Sequence, residues 1–220
     1  MTASQPVALL GGTFDPAHLG HVGLADDAQR AIRSADVRLV PAADPPHRPP
    51  PGASAAHRVA MLELAIAGHD GLGIDTREID RGGKSYTVLT LEELRAEAPT
   101  RPLILVLGAD AFRGLPTWHR WDEILALAHV AVAARPGDPF AAALPDALVP
   151  LWGERQTSAA SDLIGAPAGR IYVLPSVARD VSASAIRAAL KRGGEAREAV
   201  RALLAPAVWD YIDSQRLYAG

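Results

Sequence analysis

Val7-Ala8-Leu9-Leu10-Gly11-Gly12-Thr13-Phe14-Asp15-Pro16-Ala17-His18-Leu19-Gly20-His21 reads as a buried strand that stops on a glycine pair and restarts as a helix. Four apolar residues in a row suit a strand covered on both faces, as in a parallel sheet. Two glycines behind it let backbone N–H groups approach a phosphate closely. The helix start that follows adds a positive dipole end and unpaired N–H groups. His18 and His21 stand at i, i+3, so on a helical turn their Cβ atoms lie about 5–6 Å apart on one face. Gly20 between them removes a side chain and leaves room for a flat ring or a sugar. Two imidazoles at such a helix start can hydrogen-bond non-bridging phosphate oxygens as negative charge shifts during reaction. Taken singly, a Gly-Gly pair is an ordinary turn, and two histidines without a third ligand make a weak metal site. All of these features in order within eleven consecutive residues favour the phosphate reading. No Gly-Lys-Ser/Thr follows and the spacing is not G-x-G-x-x-G, so this is neither a Walker loop nor the dinucleotide fingerprint.

Outward from this stretch the chain keeps a βαβα rhythm. Leu19–Ala35 carries Leu24, Ala28, Ala31 and Ile32 on one helical face, and Val37–Pro41 is a short strand. Residues 42–53 are proline-rich and cannot be regular structure. A loop of that length in a compact domain is usually functional or disordered. Ser54–Ala67 reads as a helix, Gly73–Ile79 as a strand and Ser85–Ala96 as a helix. Leu103–Leu107 is the clearest buried strand. Trp121–Ala128 is helical, His129–Ala134 and Ile171–Leu174 are strands, and the chain from Ser182 onward is mostly helical. Residues 136–168 show no pattern that assigns them. Strands separated by helices imply right-handed crossovers and an open parallel sheet. Ligands of such sheets bind beyond the carboxyl ends of the strands, near a topological switch point. Gly11-Gly12, the proline-rich loop, Gly108-Ala109-Asp110 and Arg135 all follow strands, so the unusual residues gather at one edge.

Composition narrows the function classes. In 220 residues, 22 Lys plus Arg against 25 Asp plus Glu leave a net charge of −3, which disfavours a dedicated duplex DNA binder. There is no aromatic–basic platform for single strands either. Hydrophobic residues at 49% and charged residues at 21% fit a folded soluble chain rather than a disordered one. A chain of this size buries roughly 70% of its unfolded surface and needs no covalent staple. The absence of cysteine removes disulfides, thiolate zinc sites and thiol nucleophiles. Neither a signal peptide nor a membrane-length apolar run is evident, so a cytoplasmic location without membrane partners is expected.

The stretch Gly11–His21 resembles the G-[GT]-[ST]-F-D-P-x-H-x-G-H signature of the nucleotidyltransferase superfamily. Its second hallmark, I-S-[SA]-[ST]-x-I-R, is matched by Val181-Ser182-Ala183-Ser184-Ala185-Ile186-Arg187. This second segment is again a helix start, where Ser182 or Ser184 can cap and where hydroxyls, N–H groups and Arg187 make an anion site. Alone, Ser-Ala-Ser before a helix is simple capping; beside the first motif it reads as phosphate binding. Pro45-Pro46-His47-Arg48, Ser85-Tyr86-Thr87, Gly108-Ala109-Asp110 and Leu115-Pro116-Thr117-Trp118 narrow the resemblance to the bacterial nicotinate-nucleotide adenylyltransferases. Arg58 and Arg135-Pro136-Gly137 fit the same pattern, whereas residues 138–168 match poorly.

That resemblance implies an α/β fold of Rossmann-like type: a doubly wound parallel sheet with helices on both faces. It implies one nucleotidyltransferase domain over residues 1–220, with a small helical portion at about 182–220. The implied reaction joins ATP to nicotinate mononucleotide, giving deamido-NAD and pyrophosphate, with Mg²⁺ held mainly by ATP phosphates and water. His18, His21 and Arg187 are the implied catalytic groups. ATP binding is expected of Gly11, Gly12, Thr13, Phe14, His18, His21, Gly108, Asp110, Arg135, Ser182, Ser184, Ile186 and Arg187. Asp15, Pro46, His47, Arg48, Thr87, Trp118 and His119 are expected at the acceptor, and no residue is assigned to metal. Asp110 has a second reading as a helix cap, Trp121 reads as core, and Ile186 with Arg135 is expected around adenine. The chain departs from the family at Ala42 or Ala43, where Asn is common, so that a side-chain contact to the acceptor is either missing or supplied by Asp44. Arg48 replaces a commoner Lys.

The acceptor is itself a phosphate, so no general base or protein nucleophile is required, and positioning and charge dispersal are the protein's tasks. The competing readings are another nucleotidyltransferase of this fold, with nicotinamide mononucleotide or phosphopantetheine as acceptor, and a non-catalytic nucleotide-binding regulator. Either a monomer or a homo-oligomer is compatible with the sequence.

Overall fold

The computed structural model describes residues 5–33, 35–46, 49–134, 140–175 and 181–219. In chain order the elements are β1 (Val7–Gly12), α1 (Leu19–Ala31), β2 (Asp36–Pro41), α2 (Ala55–Ile66), β3 (Leu72–Ile74), α3 (Arg77–Arg81) and α4 (Thr87–Glu97). There follow β4 (Leu103–Gly108), α5 (Ala109–Arg113), α6 (Ile124–Leu127), β5 (His129–Ala134), α7 (Val149–Arg155), β6 (Gln156–Thr157) and β7 (Ile171–Pro175). The chain closes on α8 (Ala183–Arg192), α9 (Gly194–Ala199) and α10 (Pro206–Ser214).

The seven strands form one sheet in the order β3-β2-β1-β4-β5-β7-β6, and every pairing is parallel. From β1 the chain winds outward through β2 to β3, then returns to β4 on the other side of β1. The switch point therefore lies between β1 and β4, and it opens beyond Gly12 and Gly108.

Residue alternation along the strands divides the core into two layers. Ala8 and Leu10 of β1, Val37 and Leu39 of β2, and Ile104 and Val106 of β4 face the layer covered by α1, α2, α8 and α10. Val7, Leu9, Leu103, Leu105 and Leu107 face the opposite layer, covered by α4, α5 and α6. The strand side chains facing both layers are buried, which is why the strands read as unbroken apolar runs.

Two sequence expectations need correction, and one unassigned segment gains structure. The segment expected as a strand over Gly73–Ile79 leaves the sheet at Ile74, and Arg77–Arg81 is a helix. The Asp75 carboxylate accepts from the Arg77 backbone N–H at 3.1 Å and from its guanidinium, which turns the chain there. The first helix stops at Ala31 rather than Ala35, because Ile32 leaves helical geometry and a turn from Ile32 to Ala35 replaces the next bond. Residues 136–168, which the pattern left unassigned, contain α7 and the two-residue β6 that pairs with β7. Among them Phe140, Leu148 and Leu163 are buried. Single apolar anchors in a polar stretch leave no periodicity to read.

Candidate active site

The glycine segment after β1 is fixed by aromatic rings. Phe14 takes a left-handed backbone with φ 51° and buries its ring almost completely. A Cβ at Gly12 would lie 3.0 Å from that ring, so the second glycine makes room for Phe14. At Gly11, and at Gly108 on the neighbouring strand, a Cβ would meet nothing within 4 Å. These two positions flank the switch point with open space in front of them.

His18 stands at the N-cap of α1, and its carbonyl accepts the His21 N–H at 2.9 Å. Its own N–H donates to His21 Nδ1 at 3.3 Å. The two imidazoles stack with centroids 3.6 Å apart and planes 16° apart. Gly20 serves the protein here rather than a ligand. A Cβ on it would come within 3.0 Å of the His18 ring and 3.3 Å of Val181. The room expected for a sugar is filled by His18 itself.

Burial lowers the His18 pKa from its ordinary 6.5 to about 4, so the ring is neutral at pH 7. Its Nδ1 is buried and has no partner among the described residues. Phe14 meets His21 edge-on at 4.8 Å, which holds the second ring in place.

Asp15 joins this loop to three distant parts of the chain. Its side chain is 2% exposed. Oδ2 accepts from the Gly52 N–H at 2.7 Å, and Oδ1 accepts from the Ala53 N–H at 3.1 Å and the Tyr218 hydroxyl at 2.6 Å. Arg187 Nη1 donates to the Asp15 carbonyl at 2.5 Å and lies 3.5 Å from its carboxylate. Fully buried Arg58 donates to the Thr13 carbonyl at 2.9 Å. The Asp15 carboxylate, expected at the acceptor, is thus engaged with its own chain.

The second motif arrives on α8. Ser182 is its N-cap and accepts from the Ala185 N–H at 3.5 Å. Ser182 and Ser184 are exposed and Arg187 is half-buried, its guanidinium joined to Asp15. Ile186, expected by adenine, has its side chain fully buried in the first core layer. Helix packing puts Ile186 inward and Arg187 toward the loop after β1.

Beyond β4, Gly108 is the N-cap of α5, and Asp110 lies in its first turn with a fully exposed carboxylate 3.0 Å from Arg113. No side-chain bond caps α5, so Asp110 is not the helix cap. On the same side Thr87 begins α4, and the Tyr86 ring before it meets the His119 ring at 4.4 Å. Trp118 and Trp121 are both half-buried against the second core layer. The 118–121 segment is tied down by Arg120, which bonds Glu92 of α4 at 2.6 Å and Glu123 at 2.7 Å. Pro46 is half-buried. Asp44, one of the two alternatives at the family departure, pairs with Lys84 at 2.6 Å. His47, Arg48 and Arg135 lie outside the described residues.

Sequence reasoning missed Tyr218 and Arg120. Neither stands in a spacing that announces a role; Tyr218 is defined by Asp15 and Arg120 by Glu92, each distant in sequence.

Known proteins resemble this chain in both sequence and fold. A family model described as cytidylyltransferase-like matches residues 9–189. The chain is 48% identical over 218 residues to a probable nicotinate-nucleotide adenylyltransferase of Stenotrophomonas maltophilia, covering 94% of each chain. It is 46% identical over 224 residues to the Hahella chejuensis protein of the same description, covering 99% of this chain and 98% of that one. Among solved structures it superposes with a TM-score of 0.72 on the nicotinic acid mononucleotide adenylyltransferase of Plasmodium falciparum complexed with NaAD. That alignment covers 97% of each chain at 15% identity, a likeness of fold.

Proposed function

The chain belongs to the cytidylyltransferase-like family and within it to the nicotinate-nucleotide adenylyltransferases, and from that premise we propose that it transfers the adenylyl group of ATP to nicotinate mononucleotide. An oxygen of the acceptor phosphate attacks the α-phosphorus in line; the bond from that phosphorus to the β-phosphate oxygen breaks, and pyrophosphate leaves. The products are nicotinate adenine dinucleotide and pyrophosphate. No proton has to be removed from the nucleophile, which suits a site whose buried imidazole is neutral. The observation that carries the reading is that Arg187 bonds the Asp15 carbonyl in the same loop that leads into the stacked His18–His21 pair, at the switch point of the sheet.

In this reading His18 and His21 donate to non-bridging oxygens as charge develops, and Arg187 balances the polyphosphate. Gly11, Gly12, Thr13 and Gly108 let the backbone approach the nucleotide, and Ser182 and Ser184 add donors at the start of α8. The acceptor ring lies by Trp118, with its carboxylate toward the backbone around Thr87 and His119. Selection of the acid over the amide follows, because those donors suit a carboxylate and not an amide NH₂.

The donor set fits Mg²⁺ carried by the substrate. Among the described residues no three His, Asp or Glu side chains gather into a metal site, and the motif's one carboxylate is occupied by Gly52, Ala53 and Tyr218. Phosphate oxygens and water would hold the ion, which neutralises charge on the leaving pyrophosphate. No helix among the described residues is long and apolar enough to cross a membrane, and a cytoplasmic site of action is part of the proposal.

Pyrophosphate release with ATP tests the assignment against nicotinate mononucleotide, nicotinamide mononucleotide and phosphopantetheine. The expected result is turnover with the first far above the other two. Preference for phosphopantetheine, or no turnover with any of the three, overturns it.

A further inference from the structure

The end of the chain reaches into the site described above. After α10, Arg216 and Tyr218 both adopt left-handed backbone, with φ 52° and 60°, and the Leu217 N–H closes onto the Ile212 carbonyl at 3.0 Å. This double turn folds Leu217 and Tyr218 back onto the first core layer. It delivers the Tyr218 hydroxyl to Asp15 Oδ1, 203 positions earlier, at 2.6 Å. Around Gly52 the parts meet: a Cβ there would lie 3.4 Å from the Tyr218 ring, 3.5 Å from Asp15 Oδ2 and 3.6 Å from Arg187 Cδ.

Two cations lie in the field of this one carboxylate. Arg58 is held by the Thr13 carbonyl from within the fold, and Arg187 approaches from the site side with 30% of its side chain exposed. Tyr218 and Ala53 hold Asp15 Oδ1 while Gly52 holds Oδ2, and with the carboxylate fixed in this way Arg187 lies 3.5 Å from Oδ2 and bonds the Asp15 carbonyl. A guanidinium locked in a close bidentate pair with a carboxylate would have its fork spent. One hung from a carbonyl keeps donors for a phosphate.

We propose that Tyr218 is a positioning residue for Arg187: by anchoring Asp15 Oδ1, its hydroxyl fixes the carboxylate so that it cannot turn to form a close pair with the guanidinium, and Arg187 is left aimed at nucleotide phosphate. This rests on the reading of Arg187 as a phosphate ligand. Burial and the adjacent Asp15 raise the Tyr218 pKa above its usual value, so the hydroxyl keeps its proton and remains a donor.

The test is calorimetric titration of ATP, without acceptor, into wild type, Tyr218→Phe, Tyr218→Ala, Arg187→Ala and the Tyr218→Phe/Arg187→Ala double variant. Tyr218→Phe keeps the ring packing and should weaken ATP binding by about five- to tenfold, as loss of one charge-assisted contact predicts. In the Arg187→Ala background the same change should alter affinity by less than about twofold, the mark of two residues acting through one another. Wild-type affinity in Tyr218→Phe overturns the proposal. So does an undiminished loss in the Arg187→Ala background, or a Phe variant that restores what Ala loses, since each assigns the residue to packing. Wild type that fails to bind ATP overturns the phosphate role of Arg187 and this inference with it. Because no acceptor is present, failure of the acceptor panel under normal ATP coupling overturns the function alone.

Discussion

The loops that follow β1 and β4 leave adjacent strands at the same edge of the sheet, and both carry an aspartate within a few residues of the last glycine. They are built in opposite ways. Asp15 is almost wholly buried and holds three donors from two distant segments, whereas the Asp110 carboxylate stands in solvent beside Arg113. Gly12 is packed against an aromatic ring and Gly108 faces open space. One loop is braced from behind so that its histidines and Arg187 hold their places. The other is left bare, as a surface that a ligand completes. Preorganised donors cost no rearrangement at the moment of reaction, so bracing belongs with the groups that meet developing charge.

The largest separation between the loops should come from removing Asp15. Asp15→Ala leaves Arg58 buried without its counter-charge and strips three donors of their acceptor, which should cost about 3–5 kcal/mol of stability. Denaturant unfolding measures this directly. A loss below about 1 kcal/mol would mean that the bracing is not what holds the loop.

Next in size is the pH response of the braced loop. Burial depresses the His18 pKa to about 4 in the folded chain, against 6.5 when unfolded. Below pH 6.5 the unfolded chain therefore binds a proton that the folded chain refuses. Stability falls as pH drops through the window from 6.5 to 4 and levels off beneath it. For a ring this buried the full effect is about 3 kcal/mol. Burial also lowers the His129 pKa, so the informative quantity is wild type minus His18→Gln. That difference should shrink toward acid pH; a constant difference would remove His18 as its source.

For catalysis, His18→Ala should reduce turnover by about 10²-fold with a modest change in ATP affinity, because a donor aimed at developing charge acts mainly in the transition state. Steady-state kinetics at saturating ATP read this out. Near-normal turnover would leave the stacked imidazoles a structural feature alone.

How much of this was legible beforehand differs between the two loops in an instructive way. The strands β1 and β4 are readable because burial on both faces demands continuous apolar runs, and the glycine and histidine spacing of Gly11–His21 is local. Bracing is not local. Tyr218 becomes part of the site through two left-handed residues after α10, and nothing in its neighbourhood marks it. Asp15 looked like a ligand contact because its sequence position is shared by both uses; only its partners distinguish them. Ile186 and Arg187 stand side by side in one motif, yet helical geometry sends the first into the core and the second to the loop. The α7 and β6 segment escaped for another reason, since it packs by isolated anchors such as Leu148 and Phe140.

Glycine substitutions sharpen the contrast at smaller scale. Gly12→Ala would press a methyl against the Phe14 ring at 3.0 Å and should destabilise by about 1–3 kcal/mol, the usual cost of overpacking. Gly108 has φ −69° and ψ 156°, which any residue adopts, and its Cβ would meet nothing. Gly108→Ala should leave the melting temperature unchanged while raising the KM for ATP, if nucleotide passes close to that backbone. Unchanged KM would move the nucleotide away from β4.

The smallest expected effect on stability belongs to Asp110→Ala. Its carboxylate does not cap α5, and an exposed ion pair with Arg113 contributes about 0–1 kcal/mol. A favourable interaction with the helix start adds a similar small amount. Thermal unfolding should therefore barely shift, and any functional loss would appear in KM for the nucleotide or the acceptor. If stability instead fell as far as in Asp15→Ala, the loop after β4 would be braced like its neighbour. If neither stability nor KM moved, Asp110 would be a solvated charge, and nucleotide recognition on this side would fall to the backbone of Gly108 and Ala109.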